Sequence, residues 1–185
     1  MARSYWKYNS PAKAILMTLA MTGAFVIAST SPYFLTNLVK KYFRYKLRAH
    51  RRAMRELEKK KIISFEEKKD GTVKVTLTHR GKEIVRQYQL EEMQIEKPGH
   101  WDGKWRVLLY DIPTSRKKAA DAFREKLKQL GLYQLQKSVW VHPYEYIGEI
   151  DFLCAVFNIN LNSHILYFAT KEIPRKRLLR EFFEL

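Results

Sequence analysis

The stretch Leu57-Glu-Lys-Lys-Lys-Ile-Ile-Ser-Phe-Glu-Glu-Lys-Lys-Asp-Gly-Thr-Val-Lys-Val-Thr-Leu-Thr-His-Arg-Gly81 decides the reading of the first half of this chain, because the hydrophobic period changes inside it. Up to Lys61 the apolar residues recur at helical spacing, and Leu47, Ala53 or Met54, and Leu57 predict a helix over Tyr45 to Lys61. Ile62, Ile63 and Phe65 then read as a short strand, Lys69-Asp70-Gly71-Thr72 as a hairpin turn, and Val73, Val75 and Leu77 as the alternating return strand. From Thr78 to Glu92 the period is helical again, carried by Ile84, Val85 and Tyr88.

Upstream, two cap-then-proline signatures, Ser10-Pro11 and Ser31-Pro32, open two further helices, the second running through Phe34, Leu35, Leu38, Val39 and Phe43. Three helices followed by a two-stranded hairpin is the order of a winged helix-turn-helix, and the Leu57 to Gly81 string resembles the wing of many bacterial winged-helix regulators. The first helix is the awkward element, since Ala14 to Val39 contains no charged residue. Its apolar run from Ala14 to Ala28 carries Thr18, Thr22 and Gly23 and stops at Ser29-Thr-Ser-Pro32, short of the ~20 residues a bilayer requires. A buried first helix is therefore the expectation, and a membrane tether through Ala14 to Leu35 the alternative.

The formal charge of +16 predicts attraction to polyanions, and the 46% apolar content excludes global disorder. The charge is concentrated between Lys40 and Lys61, where eleven basic residues face only Glu56 and Glu58. On the helix preceding the hairpin, Arg48, Arg51, Arg52 and Arg55 lie three and four apart and so share a face turned away from Leu47 and Leu57. The planar guanidinium fork suits guanine edges and phosphates, and a helix fits the major groove. Arg44 and Lys46 extend the patch, and Lys68 and Lys69 beside the hairpin turn are placed to reach a flanking phosphate. The expected partner is double-stranded DNA; a merely solvated basic face is the bland alternative.

Glu96-Lys-Pro-Gly-His100 reads as a linker, which divides the chain into residues 1–95, the linker 96–100 and residues 101–185. After it, Trp105 to Asp111 reads as a strand, Ser115 to Gly131 as a helix, Leu132 to Gln136 and Ser138 to His142 as strands, Glu145 to Phe157 as a helix and His164 to Ala169 as a strand. This β-α-β-β-α-β order is ferredoxin-like, so the expected fold class is α+β, with a closing helix after Pro174. Trp105, Tyr110, Trp140, Tyr144, Tyr167 and Phe168 are read as core and interface. Cys154, the one cysteine, falls in the helical pattern Ile150, Leu153, Cys154, Phe157 as a small buried hydrophobe, and a disulfide within the chain is excluded. The five histidines show no zinc spacing, and no phosphate-binding glycine loop is present.

The block Trp101-Asp-Gly-Lys-Trp-Arg-Val-Leu-Leu-Tyr-Asp-Ile-Pro113, followed by Arg116, Arg124, Leu130-Gly131, Leu135-Gln136 and Ser138-Val-Trp-Val141, resembles the PaaX-like family of bacterial transcriptional repressors. That resemblance implies a winged helix-turn-helix ahead of a central domain similar to the CRISPR-associated adaptation protein two, a ferredoxin-fold metal-dependent nuclease. It implies a transcriptional repressor. A homodimer joined through the ferredoxin-like half is expected with it, and the lone cysteine and the absence of metal and phosphate-loop motifs add a cytoplasmic protein without a cofactor. The resemblance also singles out Asp111, at the end of the first strand of that half, where the nuclease family places a metal-binding aspartate; Mg²⁺ held between two copies would then serve phosphodiester hydrolysis. The other reading of Asp111 is structural, as a turn residue that with Ser115 helps start the next helix.

Overall fold

The computed structural model describes residues 10–28 and 47–185, and the chain divides into two compact units, one up to Gln89 and one from Leu90 to Leu185. The expected second helix, and with it Arg44 and Lys46, lies outside the described residues.

The first unit begins with α1, Pro11–Thr22. The Ser10 hydroxyl accepts the Lys13 amide at 3.2 Å, which satisfies one of the helix's otherwise orphaned donors, and Pro11 supplies the first residue. Ala12, Ile15, Leu16 and Leu19 form the buried stripe. The helix stops earlier than the apolar run suggests. Gly23 takes φ 75°, its amide bonds to the Leu19 carbonyl at 2.9 Å, and Phe25–Ala28 is a strand, β1. Hydropathy is continuous across the break, so only the glycine and the Phe-Val-Ile run after it mark the change of period.

The helix α2, Leu47–Lys59, leads into β2, Ile63–Glu67, and β3, Thr72–Leu77, as the change of period predicts. Among the described residues the sheet has three strands rather than the expected two, in the order β1-β3-β2, all antiparallel, with Phe25 opposite Val75 on one side and Phe65 opposite Val75 on the other. The helix α3, His79–Glu92, follows directly. Thr78 ties it to the sheet, since its hydroxyl accepts the Gly81 amide at 3.1 Å and donates to the Lys61 carbonyl at 2.7 Å. Gly81 is obligatory, because a Cβ there would stand 2.2 Å from the Ile62 carbonyl oxygen. Leu16, Leu19, Leu57, Ile62, Ile63, Val75 and Val85 close the core of this unit. No helix among the described residues is long and apolar enough to cross a membrane; α1, at 12 residues, spans only ~18 Å.

In the second unit Leu90 and Met93 pack on the core and Ile95 is buried in it. The elements then follow as β4 Trp105–Tyr110, a 3₁₀ turn Thr114–Arg116, α4 Lys117–Gln129, β5 Tyr133–Gln136, β6 Val139–His142, α5 Ile147–Phe157, the short α6 Leu161–His164, β7 Ile165–Thr170 and α7 Lys176–Phe183. The sheet order is β5-β6-β4-β7 with every neighbouring pair antiparallel, which is the ferredoxin-like arrangement. Phe123 and Leu127 of α4 and Ile150, Leu153 and Cys154 of α5 bury Leu108, Tyr110 and Trp140 on one sheet face. Leu179 and Phe183 of α7 pack with Trp105, Val107 and Val141 on the other. The entry to α4 differs from expectation: neither Ser115 nor Asp111 caps it, and the 3₁₀ turn after Pro113 leads straight into the helix without a side-chain cap.

Candidate nucleic-acid interface

The helix α2 is two-sided. Ala53, Leu57 and His50 are buried, while Arg52, Arg55 and Lys59 are exposed. Those three cations are spaced three and four apart, so they form one stripe, opposite the side that anchors the helix to the core. Neither Arg52 nor Arg55 has a carboxylate partner among the described residues. Arg48 and Arg51 fall in the first two turns of the same helix. Lys59, one turn beyond Arg55 on the same side of the helix, extends the stripe past the four arginines expected to make contacts.

The hairpin tip is tightly built. Asp70 accepts the Thr72 amide at 2.9 Å and the Thr72 hydroxyl at 2.6 Å, Gly71 takes φ 76°, and the Lys68 amide reaches the Thr72 carbonyl at 2.7 Å. These hydrogen bonds from Thr72 hold the Asp70 carboxyl below its ordinary range, so it stays ionised inside the turn. Lys68 and Lys69 are exposed beside it. The helix stripe and the hairpin lysines thus belong to one unit and sit on consecutive elements, α2 and the β2–β3 turn.

The Trp101 to Arg106 block in the second unit proves to be a structural knot. Gly103 takes φ 76°, Asp102 accepts the Lys104 amide at 3.0 Å, and the Trp101 indole donates to the Lys104 carbonyl at 3.0 Å. Arg106 makes a fork-to-fork pair with Asp102, at 2.6 and 2.8 Å, and also reaches the Pro143 carbonyl at 3.0 Å and Glu145 at 3.4 Å. The Arg106 hydrogen bond holds the Asp102 carboxyl down at about 2. Partial burial opposes ionisation of Glu145, yet the Tyr167 hydroxyl at 2.5 Å, the Ile147 amide and Arg106 together keep it below its ordinary range. Arg106 is thereby spent on holding β4 to the β6–α5 connection. His142, buried against Tyr144, Tyr146 and Phe183, is pushed down to about 4 by loss of solvent.

Asp111 is exposed at the end of β4, and its amide donates to the His164 carbonyl at 2.9 Å. No three His, Cys, Asp or Glu side chains among the described residues are grouped to hold a metal ion. One chain offers Asp111 as a single ligand, fewer oxygen donors than Mg²⁺ needs from one chain alone. Cys154 is buried and its thiol is pushed up to about 11 by loss of solvent, so it is unreactive at neutral pH.

No curated protein matches this chain. Residues 98–178 match the family described as the PaaX protein central Cas2-like domain, the segment that contains the Trp101–Arg106 knot and the β5-β6-β4-β7 sheet. By that match and by the ferredoxin-like sheet order, the second unit is similar to the Cas2-like central domain of PaaX proteins.

Proposed function

We propose that this protein is a duplex DNA-binding transcriptional regulator, a repressor like the PaaX proteins whose central domain its second unit resembles, whose first unit is a winged helix-turn-helix. The observation that carries the reading is the exposed Arg52–Arg55–Lys59 stripe on a helix anchored by Ala53 and Leu57 and followed directly by a hairpin with Lys68 and Lys69 at its tip. The order α1, β1, α2, β2, β3 and the pairing of β1 on β3 suit a winged domain, in which the helix before the hairpin enters the major groove. In this reading Arg48, Arg51, Arg52 and Arg55, with Arg44 and Lys46 ahead of them, contact base edges and phosphates, and Lys68 and Lys69 hold the flanking backbone. The second unit joins two copies, so the operator is near-palindromic with half-sites about one helical turn apart. No cofactor is required.

Selection from random duplex DNA followed by fluorescence anisotropy tests the proposal. Enrichment of a near-palindromic sequence, bound more tightly than unrelated duplex, is the expected result. No duplex affinity even at low salt overturns it.

A further inference from the structure

The two outer strands of the second sheet are built differently. The strand β5 has four residues, Gln134 and Gln136 exposed along it, and a register shift between those glutamines, all of which discourage another strand from adding to it. The strand β7, Ile-Leu-Tyr-Phe-Ala-Thr, has six residues, no charge, no proline, no glycine and an unbroken register with β4. Among the described residues β4 is its only strand neighbour, so one row of its backbone donors and acceptors has no strand partner.

Its side chains add a second signal. Ile165 and Tyr167 pack on the helix-covered face, whereas Leu166 and Phe168 point to the other face and are 59% and 43% exposed. The helix that covers that face, α7, is placed toward the opposite edge: Phe182 meets Tyr133 of β5, and Phe183 meets His142 of β6 and Trp105 of β4.

We infer that β7 is the strand through which two copies of this chain pair, edge to edge and antiparallel about a two-fold axis, joining their two four-stranded sheets into one. The inference rests on the homodimer proposed above and adds to it a surface and a register. Antiparallel neighbours present directly opposite side chains on the same face, so a two-fold that keeps the faces aligned passes through a residue of the strand. Centred on Tyr167, it sets Leu166 opposite Phe168 of the second copy, and Phe168 opposite the second Leu166, so that each exposed apolar side chain covers the other. Within β7 the same register sets Ile165 opposite Ala169, and the strand carries no charge, so no like charges meet along it. Shifted by one residue to Leu166, the axis would place Phe168 against His164; shifted to Phe168, it would place Leu166 against Thr170. Only the Tyr167 register is self-complementary for the exposed pair.

The test is the oligomeric state of the full chain, measured by sedimentation, with variants that read the register. Leu166→Cys alone and Phe168→Cys alone should remain uncrosslinked under mild oxidation, because each cysteine faces a Phe or a Leu; a mixture of the two should form a disulfide-linked heterodimer. Buried Cys154 does not compete. The double variant L166K/F168K sets lysine against lysine and should be monomeric, while L166K/F168E sets lysine against glutamate and should restore the dimer. Far-UV circular dichroism of all variants should match the parent, since both positions are exposed. A monomeric parent chain, a dimer that survives L166K/F168K, or crosslinking as strong in either single-cysteine variant as in the mixture overturns the inference. A dimer that survives L166K/F168K leaves the homodimeric regulator intact and removes only this edge. Dimerisation through β7 without duplex binding would instead fail the DNA reading of the first unit.

Discussion

Residues up to Gln89 carry 20 Lys and Arg against 6 Asp and Glu, whereas Leu90 to Leu185 carry 15 against 13. The difference lies in how the charges are used as well as in their number. In the second unit Arg106, Arg124, Lys128, Lys176 and Arg177 are each within ion-pair distance of a carboxylate, and Arg106 is enclosed by Asp102, Glu145 and two carbonyls. In the first unit Arg52 and Arg55 stand exposed with no carboxylate partner among the described residues. Cations matched within the fold stabilise or position it; cations left unmatched on one face of a helix raise the local potential and await an external anion. The net charge of the whole chain conceals this division.

The largest expected effect falls on that unmatched stripe. Arg52→Ala with Arg55→Ala should weaken duplex binding by about 10²-fold or more, at ~1–3 kcal/mol for each lost guanidinium contact, while the melting temperature stays within a degree or two. Anisotropy titrations beside a thermal melt check both halves of the statement. The matching variant Arg177→Ala, in the second unit, should leave affinity unchanged.

Next is a backbone effect confined to the first unit. Gly81→Ala drives a methyl into the Ile62 carbonyl at 2.2 Å and disturbs the Thr78 cap, which should cost about 3 kcal/mol. Denaturant unfolding followed by hydrogen exchange should show loss of protection in α3 and β2 with the second sheet still protected. Equal loss in both units would mean that they unfold as one.

Acid should act on the other unit. His142 has a folded pKa of about 4 against 6.5 for the free side chain, so below pH 6.5 the unfolded state binds the extra proton and folding loses stability as pH falls toward 4. Between pH 7 and pH 5 the loss should be about 2 kcal/mol, read from urea midpoints by the fluorescence of Trp105 and Trp140. His142→Phe should flatten that slope. A histidine that becomes protonated without loss of stability would contradict the burial argument.

Smallest of all should be Lys68→Ala with Lys69→Ala. In the proposed complex the two exposed hairpin lysines would hold phosphate without reading sequence, so affinity should fall by about tenfold for specific and non-specific duplex alike. A change in the preferred sequence would mean that the hairpin reads bases.

Much of this architecture was legible because the chain punctuates itself. Ser10-Pro11, Asp70-Gly71 and the switch from helical to alternating period at Ile62 mark elements whose causes are local, and the ferredoxin-like order follows from the same signals. The strand β1 was missed because Phe25–Ala28 prolongs an apolar helix without a change in hydropathy, and its pairing with β3 joins residues about fifty apart in sequence. The knot around Arg106 was visible as a motif, but its purpose was not, since Glu145 and Pro143 reach it from the far side of β6. Asp111 illustrates the converse: a resemblance supplied a role, while the fold of one chain supplies a single exposed carboxylate.

The most direct test of the central claim is duplex affinity as a function of salt, measured for the parent protein and for R52A/R55A. Phosphate-bound cations release counterions, so log affinity should fall steeply and linearly with log salt for the parent, and the variant should show both weaker binding and a slope shallower by about two. Coincident curves for the two proteins, or no duplex binding by the parent at low salt, would contradict the claim.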